Sequence, residues 1–413
     1  MKSVLPLLIR THAAATSLQN ASDRQIRSML RAVSAELIIN TKKLIKANQK
    51  DLSVQAADNS NNDRLLLNEQ RIKNIAKSII NISRLPDPSG KTLEKRILKN
   101  GLKLEKISVP LGVVGAIYES RPNVTFDIAA LCLRSRNACV LKGSVEAEHT
   151  NKASIAIIKK VLKAQGFNAD TVTLLPSERT VVNEMFTATK YIDVLIPRGS
   201  EGLIQYVRKN SRVPVIETGA GVCHVYVESK ADIAKAVSIT VNAKVSRPSV
   251  CNSADAILVD KSIADKFLHL LRPEFEKYGV EIFADKISYK ILSGYSKLHK
   301  AAPKDFGREF LSLKCAIKVV GNINEALAHI SEYSTRHSEA IVSENKKVCE
   351  RFIHEVDAAA VYSNASTRFT DGEEFGLGAE IGVSTQKLHA RGPFALEKLV
   401  TEKWIVRGSG QTR

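Results

Sequence analysis

The first hundred residues carry a helical pattern of apolar and polar positions. From residue 13 to about residue 57, apolar side chains such as Ile26 and Leu30 recur at three- and four-residue spacings. This spacing places them on one face of a helix. A second helical pattern covers about 66–85 and is ended by the proline- and glycine-containing segment 86–90. The N-terminal quarter is therefore predicted to be helical.

The pattern changes after residue 100. Residues 102–109 alternate between apolar and polar, which is typical of a half-exposed strand, whereas 113–118 are apolar throughout, which is typical of a strand covered on both faces. Further short apolar runs follow at 138–141, 171–175, 192–196, 213–216 and 256–259, with helix-like segments at 128–134, at 154–165 and from 259 to about 278. Alternating strands and helices predict two α/β domains with parallel sheets.

Composition supports this class. A chain of 413 residues is too long for one ordinary core, and its 44% hydrophobic and 25% charged residues are average for a globular protein. No apolar run reaches the roughly 20 residues that cross a bilayer, and the apolar segment 4–9 is short, contains Pro6 and lacks a cleavage site for a signal peptide. Six scattered cysteines without a C-x-x-C pair predict a reduced, cytoplasmic protein with no metal site.

The formal net charge of +18 raises the possibility of nucleic-acid binding. The basic residues are spread along the whole chain, without a long Lys/Arg tract or an aromatic-basic motif. We therefore favour no nucleic acid, and an excess of positive charge also attracts phosphorylated anions.

Polar side chains follow the buried strand that ends at Tyr118, in the segment 119–125. Ligands of open α/β sheets bind beyond the carboxyl ends of the strands, so this segment is well placed for a site. The amide of Asn123 can donate to an oxyanion, and the guanidinium of Arg121 can hold a carboxylate or phosphate. The alternative is a plain loop shaped by Pro122.

Two further strand ends run into helix starts and have the composition of anion-binding turns. In 141–147, Lys142 next to a helix N-terminus suits a phosphate or a ribose hydroxyl, although the G-x-G-x-x-G fingerprint is absent. In 196–202, a glycine-containing turn precedes a helix. Its alternative is a tight turn in which Ser200 caps that helix.

Cys251 lies between a helix-like stretch and the strand at 256–259. Lys244 and Arg247 are close to it in sequence, and a nearby positive charge lowers the pKa of a thiol and favours the nucleophilic thiolate. A lone cysteine is more often structural, so spacing leaves both possibilities open. The polar, glycine-rich segment 368–393 suits a ligand-facing loop, in which His389 is either a general acid or a structural residue.

Longer motifs occur in order over nearly the whole chain. They are 109–115, 118–125, 196–199, 223–227, 242–244, 247–248, 251–252, 375–380, 384–393 and 403–405. In this order they closely resemble the γ-glutamyl phosphate reductase family, which belongs to the aldehyde dehydrogenase superfamily.

The resemblance implies an aldehyde dehydrogenase-like α/β fold with two parallel-sheet domains and a small strand element that joins subunits in a homo-oligomer. The NADP(H)-binding domain is expected over 1–100 and 119–222, and the catalytic domain over 223–395. Residues 101–118 and 396–413 are expected to supply the oligomerisation strands.

The resemblance also assigns residues. Cys251 becomes the expected nucleophile, and Asn123 aligns with the oxyanion-hole asparagine of the superfamily. The positions for the cofactor NADPH/NADP+ are Lys142 and Glu146 at the ribose and Gly199 and Ser200 under the pyrophosphate. The candidates for holding phosphate or the substrate carboxylate are Arg121, Arg198, His389 and Arg391.

The implied reaction begins when the Cys251 thiolate attacks the acyl carbon of glutamyl 5-phosphate. Asn123 and the Cys251 backbone N–H hold the oxyanion while phosphate leaves and a thioester forms. Hydride from NADPH then gives glutamate 5-semialdehyde, the second step of proline biosynthesis from glutamate. A separate glutamate 5-kinase is expected to supply the unstable substrate.

Two positions depart from the family's usual pattern. The family usually has Gly-Gly after the first basic residue of 142–146. In this chain Gly143 is followed by Ser144 and Val145, which break that pattern. Glu217 stands where hydrolytic relatives keep a general base, and its role is left open. The alternatives are an acylating dehydrogenase with a coenzyme A thioester as acyl donor, and a nucleic-acid-binding protein that keeps the fold.

Overall fold

The computed structural model describes residues 3–56, 62–119 and 121–413, so Ser120 of the 118–125 motif lies outside the described residues. The chain divides into two compact units. The first comprises 1–218, 376–382 and 394–413, and the second comprises 219–375 and 383–393.

The first unit begins with helices, as predicted. They are α1 (Leu5–Gln19), α2 (Asp23–Ile39), α3 (Thr41–Ser53), α4 (Asn62–Leu65) and α5 (Glu69–Arg84). The long pattern from residue 13 is divided because polar residues cap the helices: Ser22 and Gln25 form a reciprocal capping box that starts α2. The side chain of Asn68 caps α5 in the same way by accepting from the Arg71 N–H. α2 and α5 pack together through their apolar faces.

A hairpin and a four-stranded parallel sheet follow. The hairpin consists of β1 (Thr92–Ile97) and β2 (Lys103–Pro110). The sheet has the order β5-β4-β3-β6, with β3 (Val113–Tyr118), β4 (Ala138–Lys142), β5 (Val172–Leu174) and β6 (Val194–Arg198). The connecting helices are α6 (Pro122–Arg134), α7 (Glu148–Ala164), α8 (Val181–Thr187) and α9 (Glu201–Asn210). Parallel pairing places the segments that follow β3, β4 and β6 at one edge of this sheet.

The second unit is built on a seven-stranded parallel sheet with the order β10-β9-β11-β8-β7-β12-β13. Its strands are β7 (Cys223–Val227), β8 (Ala254–Asp260), β9 (Glu281–Ala284), β10 (Leu298–Lys300), β11 (Lys314–Val320), β12 (Ser338–Val342) and β13 (Ala360–Ser363). Its helices are α10 (Ile233–Val245), α11 (Ala264–Tyr278), α12 (Lys286–Ile291), α13 (Ile323–Tyr333) and α14 (Lys346–Glu355). Strands β7 and β8 are buried along their whole length, as continuous apolar runs in a central strand require.

The last strands are β14 (Glu380–Ser384) and β15 (Gly392–Ala395), which form a two-stranded sheet, and β16 (Val400–Arg407). β16 pairs antiparallel with β2 along its whole length, so β1, β2 and β16 form a three-stranded sheet. No helix among the described residues is long and apolar enough to cross a membrane.

The expected domain boundaries differ from the structure at several places, and residues 376–382 and 394–395, expected in the catalytic domain, belong to the first unit. Residues 113–118, expected among the oligomerisation strands, form β3 in the middle of the four-stranded sheet, because their apolar side chains are buried on both faces. Residues 92–97, expected in the cofactor domain, form β1 beside β2. The second unit begins at Gly219 rather than at residue 223.

The predicted strand at 213–216 is reduced to a single bridge between Leu195 and Val215.

Candidate active site

In the first unit, Asn123 and Arg121 lie where β3 passes into α6. Proline is favoured in the first helical turn, and α6 begins at Pro122, which makes Arg121 its N-cap residue. Asn123 is exposed in the first turn, and its Nδ2 donates to Asp127 Oδ2 over 2.9 Å. The predicted oxyanion donor is therefore presented at the sheet edge with one amide hydrogen engaged by a neighbouring carboxylate.

Lys142 and Glu146 are brought together at the end of β4. Burial lowers the pKa of the Lys142 ammonium, while the Glu146 carboxylate acts in the opposite direction. Arg179, which follows β5, adds a second positive charge near Lys142. Gly143 is required in the turn, because a Cβ there would lie 2.2 Å from Asn151 Nδ2. The pair offers a cation and a carboxylate to a hydroxylated or phosphorylated ligand.

Gly199 and Ser200 form a turn that holds an anion in this structure. The Ser200 N–H and hydroxyl donate to the two oxygens of the Glu119 carboxylate over 2.9 and 2.7 Å, at the N-terminus of α9. A Cβ at Gly199 would lie 2.5 Å from the Glu119 carboxyl carbon. Ser200 also caps α9, as the tight-turn alternative predicts, whereas binding of an anionic ligand at this turn stays a prediction.

The remaining residues predicted in this unit are less informative. Arg198 ends β6 and is partly buried. Glu217 forms an ion pair with Arg208 over 3.1 Å. Glu217 keeps no further assignment from its geometry.

In the second unit, Cys251 lies in the turn between α10 and β8. It is partly exposed, whereas the other five cysteines are buried. Its backbone carbonyl accepts a hydrogen bond from the Cys223 thiol over 3.1 Å. Burial raises the pKa of the Cys223 thiol, which keeps this donor protonated. Exposure therefore separates Cys251 from the structural cysteines, as sequence spacing could not.

Asn252, the next residue, is held by hydrogen bonds with the segment 367–370. Its Nδ2 donates to the carbonyl oxygens of Arg368 and Thr370 over 3.3 and 2.9 Å, and its Oδ1 accepts from the Arg368 guanidinium. The Thr367 hydroxyl donates to the Asn252 carbonyl over 2.7 Å. Arg368 was missed at the sequence level, because it is distant from Cys251 along the chain and stands in a segment noted only as polar.

Lys244 does not act as a free positive charge near Cys251, which corrects the expectation from spacing. Its ammonium is completely buried and lies 2.8 Å from Asp255 Oδ1. Burial raises the pKa of Asp255 to about 6, against the opposing effect of Lys244. The two charges face each other in the interior, so Lys244 supports the turn structurally.

This pair supplies a stability prediction. Lys244→Met leaves the buried Asp255 without its partner, and we expect a loss of about 3–5 kcal/mol in the free energy of unfolding. Urea denaturation followed by circular dichroism measures it. The double variant Lys244→Met/Asp255→Leu removes both charges and should recover most of that loss. A single variant within 1 kcal/mol of wild type would show that the pair is not needed for stability.

The loop between β14 and β15 contains His389 and Arg391. His389 is exposed and has a positive φ of 62°. Arg391 donates to Asp357 over 2.8 Å. The hydrogen bonds from Lys387 and Arg391 lower the pKa of Asp357 to about 2. The Nε and one terminal nitrogen of Arg391 are buried without a hydrogen-bond partner among the described residues. Arg391 therefore retains two donors for an anionic ligand.

Among the described residues there is no cluster of metal-ligating side chains.

A comparison with family models gives the class of protein. Residues 10–286 match the model of the aldehyde dehydrogenase family. The chain therefore belongs to the aldehyde dehydrogenase family.

Full-length relatives narrow the placement to one branch. The gamma-glutamyl phosphate reductase of Chlorobium phaeobacteroides is 49% identical over 100% of this chain and 99% of its own. That of Bacteroides fragilis is 49% identical over 97% of each chain. The crystal structure of the Thermotoga maritima gamma-glutamyl phosphate reductase is 40% identical, with a TM-score of 0.96 over 100% of both chains. Within the family, the chain is a member of the gamma-glutamyl phosphate reductases.

A more distant structure shows the fold alone. An acetylating aldehyde dehydrogenase from Geobacillus thermoglucosidasius is 18% identical, with a TM-score of 0.70 over 99% of this chain and 97% of that one.

Proposed function

We propose that the chain reduces L-glutamyl 5-phosphate to L-glutamate 5-semialdehyde and inorganic phosphate through a thioester on Cys251. This is the second step of proline biosynthesis from glutamate. The observation that carries the proposal is the identity of 49% over the whole chain to relatives named for this activity. The partly exposed Cys251, held in a turn whose carbonyl and neighbouring side chain are fixed, supports its role as the nucleophile.

The chain's own residues account for the first half of the reaction. The thiolate of Cys251 forms a bond to the acyl carbon, and the carbon–oxygen bond to phosphate breaks, so that phosphate leaves with the electron pair. The Cys251 N–H and the exposed Asn123 amide are the proposed donors to the oxyanion. No water-activating base is needed, because phosphate is released in this step, and Glu217 is left without a role in it.

The cofactor is proposed to be NADPH. Ser200 at the N-terminus of α9 accommodates a carboxylate here, which supports a phosphate at the same turn. Lys142 and Glu146 would hold the ribose, and Arg179 and Glu178 add one positive and one negative charge near Lys142. The nicotinamide, when bound, supplies the hydride that reduces the thioester.

Arg391 is the favoured receptor for an anionic group of the substrate. Two of its guanidinium nitrogens are buried without a partner among the described residues, and a buried donor gains most from an anionic acceptor. Arg121, Arg198 and His389 remain candidates for the other group. Glutamyl phosphate offers a carboxylate and a phosphate, so two receptors are required.

The acyl acceptor tests this function directly. With glutamate semialdehyde and NADP+, we expect continuous turnover to NADPH only when inorganic phosphate is added, and not when coenzyme A replaces it. Absorbance of NADPH measures the rate. Turnover with coenzyme A and none with phosphate would instead establish an acylating dehydrogenase with another acyl donor. A separate glutamate 5-kinase would supply the substrate in the forward direction.

We also propose that the sheet of β1, β2 and β16 joins subunits. Its apolar side chains are unusually exposed, with Ile97 70% and Val406 55% accessible. Exposed apolar side chains on strands favour pairing with another chain. Light scattering should give a mass above the 45.3 kDa of one chain. Ile97→Asp/Val406→Asp should return it to the monomer, and Leu270→Asp on the exposed side of α11 should not. A monomeric wild type would contradict the proposal.

All six cysteines are free thiols. This supports a reducing compartment, and we propose the cytoplasm.

A further inference from the structure

Arg368 has two hydrogen-bond partners beside the Cys251 turn. Its Nε donates to the Ser246 hydroxyl over 3.1 Å, and a terminal nitrogen donates to Asn252 Oδ1. It forms no ion pair among the described residues, and neither partner carries a charge. The side chain is half-buried, in the short helical turn Thr367–Phe369. A positive charge is thus held next to the residue that follows Cys251.

The other charged groups around the thiol either have hydrogen-bond or ion-pair partners or are exposed to solvent. They are Cys223 and Glu339 at β7 and β12, Lys244 and Arg247 at the end of α10, Asp255 on β8, Glu309 before β11, and Asp371 and Glu374 after Arg368. Lys244 and Asp255 face each other, Glu309 accepts from the Gly221 N–H, and Glu339 accepts from His224 and Ser334. Arg247 and Glu374 are exposed to solvent, which screens their charges, and the partly buried Asp371 accepts from the Glu373 N–H. Asp371 and Glu374 also act electrostatically on Arg368. Arg368 is the half-buried cation of the group.

We propose that Arg368 is a positioning residue that fixes the Cys251 turn through Asn252 and stabilises the Cys251 thiolate. The inference rests on the proposed function in one respect, namely that Cys251 is the nucleophile. A fixed cation close to a thiol favours the thiolate. The planar guanidinium bonds Ser246 and Asn252 at the same time, which a lysine ammonium on a flexible stem cannot do with equal precision.

The contacts of Asn252 argue against a merely structural role. Its Nδ2 and its backbone carbonyl are held by two backbone carbonyls and the Thr367 hydroxyl. The turn therefore does not depend on the guanidinium alone, which adds the orientation of Asn252 Oδ1 and a positive charge. Half-burying a guanidinium without a salt bridge costs free energy. Attraction between the guanidinium and the thiolate offsets that cost once the neighbouring thiol ionises.

The test measures ionisation of Cys251 without substrate or cofactor. The rate of alkylation by iodoacetamide is followed against pH in wild type, Arg368→Gln and Arg368→Lys, with Cys251→Ser as the blank for the buried thiols. We expect the midpoint for Arg368→Gln to rise by about one pH unit, which slows alkylation at neutral pH about tenfold. Arg368→Lys should keep the midpoint within a few tenths of a unit but lose about tenfold in kcat, because one of the two bonds is lost.

The matched control is Arg272→Gln. Arg272 is an arginine of α11 that donates to the backbone carbonyls of Ser293 and Gly294 and forms an ion pair with Glu276. Its midpoint and kcat should equal those of wild type. A midpoint of Arg368→Gln that coincides with wild type would overturn the inference.

If Arg368→Gln fails to fold, judged by its melting temperature, Arg368→Lys decides. Wild-type kcat in that variant would overturn the inference, and a reduced kcat with an unchanged midpoint would support it. Failure of the proposed function gives a different result: no phosphate-dependent formation of NADPH in wild type, whatever the alkylation profiles show.

Discussion

Cys251→Ser is expected to lower kcat by at least about 10⁴-fold and to leave the fold intact. A serine hydroxyl is scarcely ionised at neutral pH, so the variant lacks the nucleophile on which the thioester depends. Cys251 is only partly buried in a turn, and the replacement removes no packed core group. Phosphate-dependent formation of NADPH measures kcat, and a thermal melt measures stability.

The matched control for this variant is Cys349→Ser. Cys349 is a buried cysteine of α14 whose thiol donates to the Ser343 carbonyl over 3.4 Å, a bond that a serine hydroxyl can replace. It should keep wild-type kcat. Substantial activity in Cys251→Ser, above about 1% of wild type, would show that the reaction does not pass through this thiol.

Gly221→Ala should cause the second largest loss, about 100-fold in kcat, although the added group is one methyl. A Cβ at Gly221 would lie 1.5 Å from the Cys251 carbonyl oxygen and 2.8 Å from its Cα. The Gly221 N–H is held by Glu309 over 2.8 Å, and the next N–H by Thr335 over 2.9 Å. Because these two hydrogen bonds hold the residues directly before β7, the added methyl group displaces the Cys251 turn instead.

A small displacement of a reacting group is sufficient for such a loss. The control is Gly202→Ala in α9, where a Cβ meets no atom within 4 Å. It should keep the wild-type rate, and the loss in Gly221→Ala should exceed what its thermal melt explains. Equal rates for Gly221→Ala and wild type would contradict the close contact between Gly221 and Cys251.

Local pattern was sufficient to predict the four strands of the first unit's parallel sheet, together with β2 and β8. The apolar runs at 138–141 and 256–259 are confirmed as β4 and β8, because a strand buried on both faces needs no polar positions. Pattern does not specify which strand pairs with which. Residues 113–118 follow β2 closely in sequence, but Gly112, at a φ of 123°, separates the two strands and directs them into different sheets.

The candidate site was predictable where its residues are adjacent in sequence. The turn at Gly199 and Ser200 was predicted to suit an anion, and the structure shows the carboxylate of Glu119 there. The partner itself could not be predicted, because it comes from another strand end. Similarly, spacing assigned Lys244 to the thiol, whereas burial pairs it with Asp255. Charge near a cysteine in sequence is therefore a poor guide to charge near it in space.

The thioester on Cys251 is the central claim, and a burst measurement without phosphate tests it most directly. Enzyme is mixed rapidly with glutamate semialdehyde and excess NADP+, and NADPH is followed by its absorbance. We expect a burst of one NADPH per active site, followed by steady turnover only after phosphate is added, and no burst in Cys251→Ser. No burst in wild type before phosphate is added, or a full burst in Cys251→Ser, would contradict a thioester at this residue.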